Sequence, residues 1–211
     1  MPLNVEVHTL RWGSSDWLDA CVPTLESYCD RHRLPLTIWD DTDRGYPCPK
    51  FCERDMLDQF LAGTSDFMIY LDADVWIHPE APLFPQMQGI SVATDDHHRR
   101  YNGHFNGWCA AAYGREFPLW EYSNAGVWSI DRPAAGKLRT VWVPPYLEFF
   151  QEQHFFNAAV CRAKEDLDMK VSRLPEIWNR WSGDLKPAWF QHCWSDAKKT
   201  LRPEEFLKLK P

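Results

Sequence analysis

Phe67-Met-Ile-Tyr-Leu-Asp-Ala-Asp-Val-Trp-Ile77 is the segment from which the fold of this 211-residue chain can be read. Phe67 to Leu71 are apolar or aromatic, and Ile69 and Tyr70 suit extended backbone. A continuous apolar run of this length, bounded by polar residues, reads as a strand buried on both faces. Residues i and i+2 of a strand share a face, so Asp72 and Asp74 should project together from its carboxyl end. In open α/β sheets that end is where ligands bind. Two adjacent carboxylates repel unless a cation offsets them, and carboxylate oxygens suit Mg²⁺ or Mn²⁺. An Asp-x-Asp triplet alone is also an ordinary solvated strand end or helix cap; the buried strand before it favours the cation.

The flanking sequence extends this into an α/β pattern. Asn4 to Leu10 alternates as a first strand, and Asp16 reads as the cap of a helix through Trp17, Leu18, Cys21, Leu25 and Tyr28, whose spacings fit one face. Leu34 to Trp39 is a second strand ending in Asp40-Asp41. Strand, helix, strand implies a crossover connection and a parallel sheet. Lys50 to Leu61 reads as a helix stopped by Gly63. Ile90 to Thr94 is a strand, and Asp95 to Asn106 a polar loop in which His97, His98 and His104 lack the rigid spacing of metal ligands. In Tyr122-Ser-Asn-Ala-Gly-Val-Trp-Ser-Ile130, small residues that would let backbone approach a ligand precede a strand starting at Val127. Pro133 to Val143 and Glu148 to Cys161 read as helices, and Leu201 to Pro211 as a short terminal helix. With no linker, internal repeat or low-complexity segment, residues 1–211 read as one domain.

Composition narrows the function classes. Hydrophobic residues make up 45% and aromatics 15%, with 12 Trp, as in a folded protein. A domain this long buries roughly 70% of its unfolded surface. The net charge of -7 and the lack of a basic block argue against a nucleic-acid partner. Nothing approaches the roughly 20 consecutive apolar residues of a membrane span. Met1 to Leu10 does not read as a secretion signal. Seven cysteines at irregular spacing, without Cys-x-x-Cys, suggest reduced thiols and a cytoplasmic setting.

Four motifs in order make the chain resemble the GT-A nucleotide-sugar glycosyltransferases, nearest to retaining members such as the glycogenin-like, galactosyl- and xylosyltransferase families. They are Tyr70-Leu-Asp-Ala-Asp74, Ser123-Asn-Ala-Gly-Val127, Glu152-Gln153 with Asn157, and His192 with Lys198 and Lys199. Each is weak alone; their order and spacing are specific. The chain departs from the family pattern in having Glu152 for the usual Asp, Lys199-Thr200 after the first Lys, and no Gly after His192. It also resembles the N-terminal glycosyltransferase domain of a large multidomain protein of algal DNA viruses, which implies further domains C-terminal to it.

The resemblance implies a Rossmann-like, mixed but mostly parallel sheet flanked by helices, and a UDP-sugar donor. Asp72, Asp74 and His192 would bind Mn²⁺ (or Mg²⁺), which offsets the charge of the departing diphosphate. Lys198 or Lys199 would neutralise diphosphate as a point charge. The backbone of Thr9 and Leu10, with the Asp40 carboxylate, would hold uridine; Asp72 would also meet the ribose and Lys50 the donor. Trp12 either contacts the base or packs in the core. Asn124, Ala125, Gly126, Glu152 and Gln153 would surround the hexose. Glu152 would be a nucleophile or would support an oxocarbenium-like transition state, and Gln153 would position or stabilise. The acceptor would be a glycan or glycoprotein. A metal-dependent nucleotidyl- or phosphoryl-transfer enzyme and a non-catalytic sugar-binding module are the alternatives. The first would want a Gly-rich phosphate cradle, which the sequence lacks, and the second would not need two acids, a His and a Lys together.

Overall fold

A computed structural model describes residues 3–13, 15–40, 52–94, 102–117, 122–142, 152–181 and 187–193. The elements are β1 (Val5–Arg11), α1 (Asp16–His32), β2 (Leu36–Asp40), α2 (Glu53–Ala62), β3 (Phe67–Leu71), β4 (Val75–Ile77), β5 (Ile90–Thr94), α3 (Asn102–Tyr113), β6 (Ser123–Asp131), α4 (Arg132–Val141), α5 (Glu152–Leu167), β7 (Val171–Leu174), β8 (Arg180–Trp181) and β9 (Phe190–His192). A short 3-10 turn, Glu176–Trp178, precedes β8.

Six strands form the main sheet in the order β2-β1-β3-β6-β5-β7. The β1–β2, β1–β3 and β5–β7 pairings are parallel, while β6 runs antiparallel to both β3 and β5. This is the mixed, mostly parallel α/β sheet expected. All five residues of β3 are buried, as its unbroken apolar run requires for a central strand covered on both faces. Alternate β3 residues feed two cores. Met68 and Tyr70 join α2, α4 and α5 in the larger one; Phe67, Ile69 and Leu71 join α1, β4 and Phe190 in the other.

Local chemistry sets the helix boundaries. The α1 cap is Ser15, whose Oγ accepts from the Leu18 amide, so Asp16 is the first helical residue rather than the cap. Asp131 caps α4 through the Ala134 amide and takes the Gly89 amide on its other oxygen. Gly63 ends α2 as expected, but with φ −78 it does so without left-handed backbone.

Three sequence expectations need correction. Asn102 to Asn106 is not loop: α3 begins at Asn102, because Phe105 and Cys109, one turn apart, pack with Ala158 and Cys161 of α5. The strand after the small residues begins at Ser123 rather than Val127, since Asn124 and Ser123 pair with Ala93 and Thr94. Helix α5 runs on to Leu167, past Cys161, carrying Ala163 into the larger core. Residues 41–51, 95–101, 143–151, 182–186 and 194–211, with the parts of the loop, helix and tail assignments that fall on them, lie outside the described residues.

A second sheet, in the order β4-β9-β8, sits past the carboxyl end of β3. Val75 of β4 faces His192 of β9, and the Cys193 amide donates to the Asp74 carbonyl at 2.9 Å. Backbone pairing therefore carries a residue more than a hundred positions away to the end of the central strand. Among the described residues no helix is long and apolar enough to cross a membrane, and no disulfide joins the described cysteines.

Candidate active site

The carboxyl end of β3 is where the chain changes direction. The Asp72 amide still bonds to the Gly126 carbonyl of β6 at 2.7 Å, continuing the ladder. The Val75 amide then returns to the Asp72 carbonyl at 3.1 Å and closes a turn over Ala73-Asp74. Asp72 and Asp74 thus converge through a tight turn, not through the strand alternation the sequence suggested. The turn is set by the two sheets: β3 pairs with β6 up to Leu71, and β4 pairs with β9 from Val75.

His192 completes the group. Its Nε2 lies 3.5 Å from Asp72 Oδ2 and 3.2 Å from Asp74 Oδ1. One donor atom from each of Asp72, Asp74 and His192 lies within 4.8 Å of the others. Adjacent ligands of an octahedral ion with metal–oxygen distances of about 2.1 Å stand about 3 Å apart, and opposite ones about 4.2 Å. Both spacings from His192 are near those of adjacent ligands, so Asp72, Asp74 and His192 form a possible site for one divalent ion.

Neighbouring residues shape this trio. Tyr70, two residues before Asp72, donates its hydroxyl to Asp72 Oδ1 at 2.6 Å, which leaves Oδ2 facing His192. Burial, with the Asp72 charge beside it, pushes the Tyr70 hydroxyl well above its usual range, so it stays a donor. Its ring stacks on Trp128, with centroids 5.2 Å apart. Gly126 lies against the group on the other side. A Cβ there would strike His192 Cε1, come within 2.5 Å of Asp72 Oδ2 and 3.0 Å of Asn124 Oδ1. Gly126 lies within a bulge of β6: Val92 faces Trp128, yet the next residue, Ala93, faces Asn124.

Asn124 is 6% exposed, and its Oδ1 accepts from the Gly126 amide at 2.8 Å and from Asn179 Nδ2 at 2.9 Å. Ala125 buries its methyl in the larger core, so only its backbone can serve a ligand. The first turn of α5 is tied to the start of β6. Asn157 accepts the Ser123 amide at 2.6 Å and donates to the carbonyls of Ser123 and Gln153, each at 2.8 Å. The Tyr122 hydroxyl bonds His154 Nδ1 at 2.6 Å, and Arg173 donates to Ser123 Oγ. Gln153 is half-buried in that turn; Glu152 opens the helix, and its side chain is outside the description.

The residues expected to hold a nucleoside lie at the carboxyl ends of β1 and β2. Thr9 is fully buried in β1, beside half-buried Leu10. Asp40 is exposed at the end of β2, in register with Arg11. Trp12 is 59% exposed just beyond β1, which excludes the core-packing reading. Lys50, Lys198 and Lys199 fall outside the described residues, as do His97 and His98 and the side chain of His104.

Two contributors escaped the sequence reading. Tyr70 had a signal, since i−2 from Asp72 places it on the same strand face. Asn179 had none: it sits 55 residues from Asn124, in a turn whose sequence says nothing of the site.

Neither a protein-family model nor a curated protein sequence matches this chain. Solved structures do. One is a glycosyltransferase involved in the glycosylation of the major capsid of PBCV-1, with a TM-score of 0.57 and 11% identity over 97% of this chain and 100% of that one. Another is the bifunctional glycosyltransferase WbbM in its apo form, with a TM-score of 0.52 and 14% identity over 99% of this chain and 44% of that one. This chain therefore spans less than half of WbbM. At these identities the likeness is one of fold: the architecture is one that glycosyltransferases use, and a possible three-residue metal centre sits within it.

Proposed function

We propose that this chain is a metal-dependent glycosyltransferase that moves a hexose from a UDP-sugar, UDP-glucose first among them, to a glycan or glycoprotein acceptor with retention of anomeric configuration. The observation that carries the reading is the convergence of Asp72, Asp74 and His192 at the end of the central strand of this fold. Residues 1–211 would form one catalytic domain within a longer protein. The capsid-glycosylating neighbour makes a glycan built on a capsid protein the first acceptor to try.

Bound Mn²⁺ or Mg²⁺ would act as a Lewis acid toward the diphosphate oxygens that gain charge as the glycosidic bond breaks. Asp72, Asp74 and His192 would hold the ion, with Tyr70 keeping the Asp72 carboxylate turned correctly. Thr9, Leu10, Trp12 and Asp40 would take the nucleoside, Lys198 or Lys199 the diphosphate, and Lys50 would approach the donor. Asn124, Gly126 and the backbone of Ala125 would line the hexose. From the first turn of α5, Glu152 would face the anomeric carbon as nucleophile or as a charge that supports an oxocarbenium-like transition state, while Gln153 orients the sugar.

The test is UDP release from a panel of UDP-sugars with Mn²⁺ present. The expected outcome is release that stops when EDTA is added and in Asp74→Ala, with UDP-glucose the best donor. A purified, folded chain that binds neither Mn²⁺ nor UDP would refute the reading; one that binds sugar without releasing UDP would be a lectin.

A further inference from the structure

We infer that Asn179 is a positioning residue that fixes the direction of the Asn124 side-chain amide, so that Asn124 can offer a donor sugar only N–H groups. The inference rests on the glycosyltransferase reading above for the identity of the ligand, but not for the lock itself.

A side-chain amide has a donor end and an acceptor end, and its neighbours decide which faces where. At Asn124 that choice is forced. The Gly126 backbone N–H can only donate, and it lies 2.8 Å from one terminal atom of Asn124, so that atom is oxygen. Asn179 brings an NH₂ group to the same oxygen at 2.9 Å. Both lone-pair directions are then used, and no described residue accepts from Asn124 Nδ2.

Asn179 is itself held firmly. It is 3% exposed, stands between buried Trp178 and the start of β8, and its amide bonds the Glu176 carbonyl at 3.0 Å. Its own Oδ1 is buried and accepts from no described residue. An orphaned buried acceptor destabilises the fold, so leucine, which has nearly the same shape, would fold at least as well there. Its Nδ2 bond to Asn124 is the polar contact that gives asparagine a role.

The consequence for specificity is chemical. Asn124 Oδ1 crowds the same face of Gly126 as Asp72 Oδ2 and His192 Cε1, which places the amide beside the candidate metal ligands. With Oδ1 occupied, Asn124 meets the donor as an N–H donor, and its partner must be an oxygen acceptor: a hexose hydroxyl or ring oxygen. An amino substituent, protonated at neutral pH, would meet like donors and be rejected.

Two variants test this. Asn179→Leu removes one of the two donors that hold the amide, in nearly the same volume. Asn179→Asp sets a carboxylate against Asn124 Oδ1, and flipping the amide to relieve that would face Nδ2 with the Gly126 N–H. In both, UDP affinity should stay within about twofold while kcat/KM for the UDP-sugar falls roughly tenfold, the equivalent of one lost hydrogen bond. Asn179→Leu combined with Asn124→Leu should be no slower than Asn124→Leu alone, because one residue acts through the other. Independent multiplying losses, or an equal loss of UDP affinity, would overturn the inference. Hydrogen exchange at the Gly126 amide decides the lock without turnover: it should quicken in Asn179→Asp, and unchanged protection would refute the lock. If the wild type binds no Mn²⁺ or UDP, the functional reading falls, while the exchange result still decides the lock.

Discussion

Asp72, Asp74 and His192 are mostly buried, with side chains 15%, 16% and 6% exposed, so polar interactions among them are worth more than the same interactions at the surface. That is why the residues supporting them should matter as much as the ligands. Removing the Tyr70 hydroxyl frees Asp72 Oδ1 and lets the carboxylate rotate. Tyr70→Phe should lower Mn²⁺ affinity by about 10- to 100-fold while leaving the stacked core intact, as titration calorimetry would show. Gly126→Ala should be harsher, since the added methyl lies 2.5 Å from Asp72 Oδ2. The expected result is loss of measurable Mn²⁺ binding together with a stability cost of about 1–3 kcal/mol, measured by urea unfolding.

Among the elements, β6 and α5 carry the next requirement. The roles proposed for Glu152 and Gln153 require the first turn of α5 to stay at the start of β6, and Asn157 holds it there by pairing with both backbone groups of Ser123. Asn157→Leu leaves a buried N–H and carbonyl without those partners. It should cost about 2–4 kcal/mol by chemical denaturation, and sugar turnover should fall more than Mn²⁺ affinity does. By contrast Ser15→Ala, which removes the cap of α1 on the opposite face, should cost about 1 kcal/mol and leave kcat unchanged.

At the scale of the whole molecule, two linked equilibria should report on the fold. In the main sheet Trp39 Nε1 donates to His8 Nδ1 at 2.9 Å, so His8 must turn a protonated Nε2 toward Glu6 Oε1, also 2.9 Å away. Glu6 Oε2 takes the Ser65 hydroxyl at 2.6 Å. The hydrogen bond from His8, helped by that from Ser65, holds the Glu6 carboxyl below its ordinary value of 4.5 despite partial burial. A carboxyl whose folded pKa is depressed stabilises the fold above its unfolded pKa, and that contribution is lost as pH falls through the folded value. Stability should therefore drop below about pH 4.5 in the wild type, and the Glu6→Gln acid limb should be shallower in pH-dependent unfolding. The second equilibrium is metal linkage. Mn²⁺ at about 100 times its dissociation constant should add about 2.7 kcal/mol, seen as a rise in Tm that Asp74→Ala abolishes.

The sequence alone determined the central strand, the parallel start of the sheet and the acids at the carboxyl end of that strand, because these follow from local hydrophobic pattern and residue type. Phe67 to Leu71 could be read without knowing any neighbour. Only the tertiary structure decided that Asp72 and Asp74 meet through a turn and that His192 reaches them on a second sheet. It also decided that His192 and Asp72 leave no room for a side chain at Gly126 and that Asn179 bonds Asn124. These depend on which backbone pairs with which across long separations. No residue's own identity encodes its partner, so the alternation of side chains along one strand was a sound guide to the core and an incomplete one to the site.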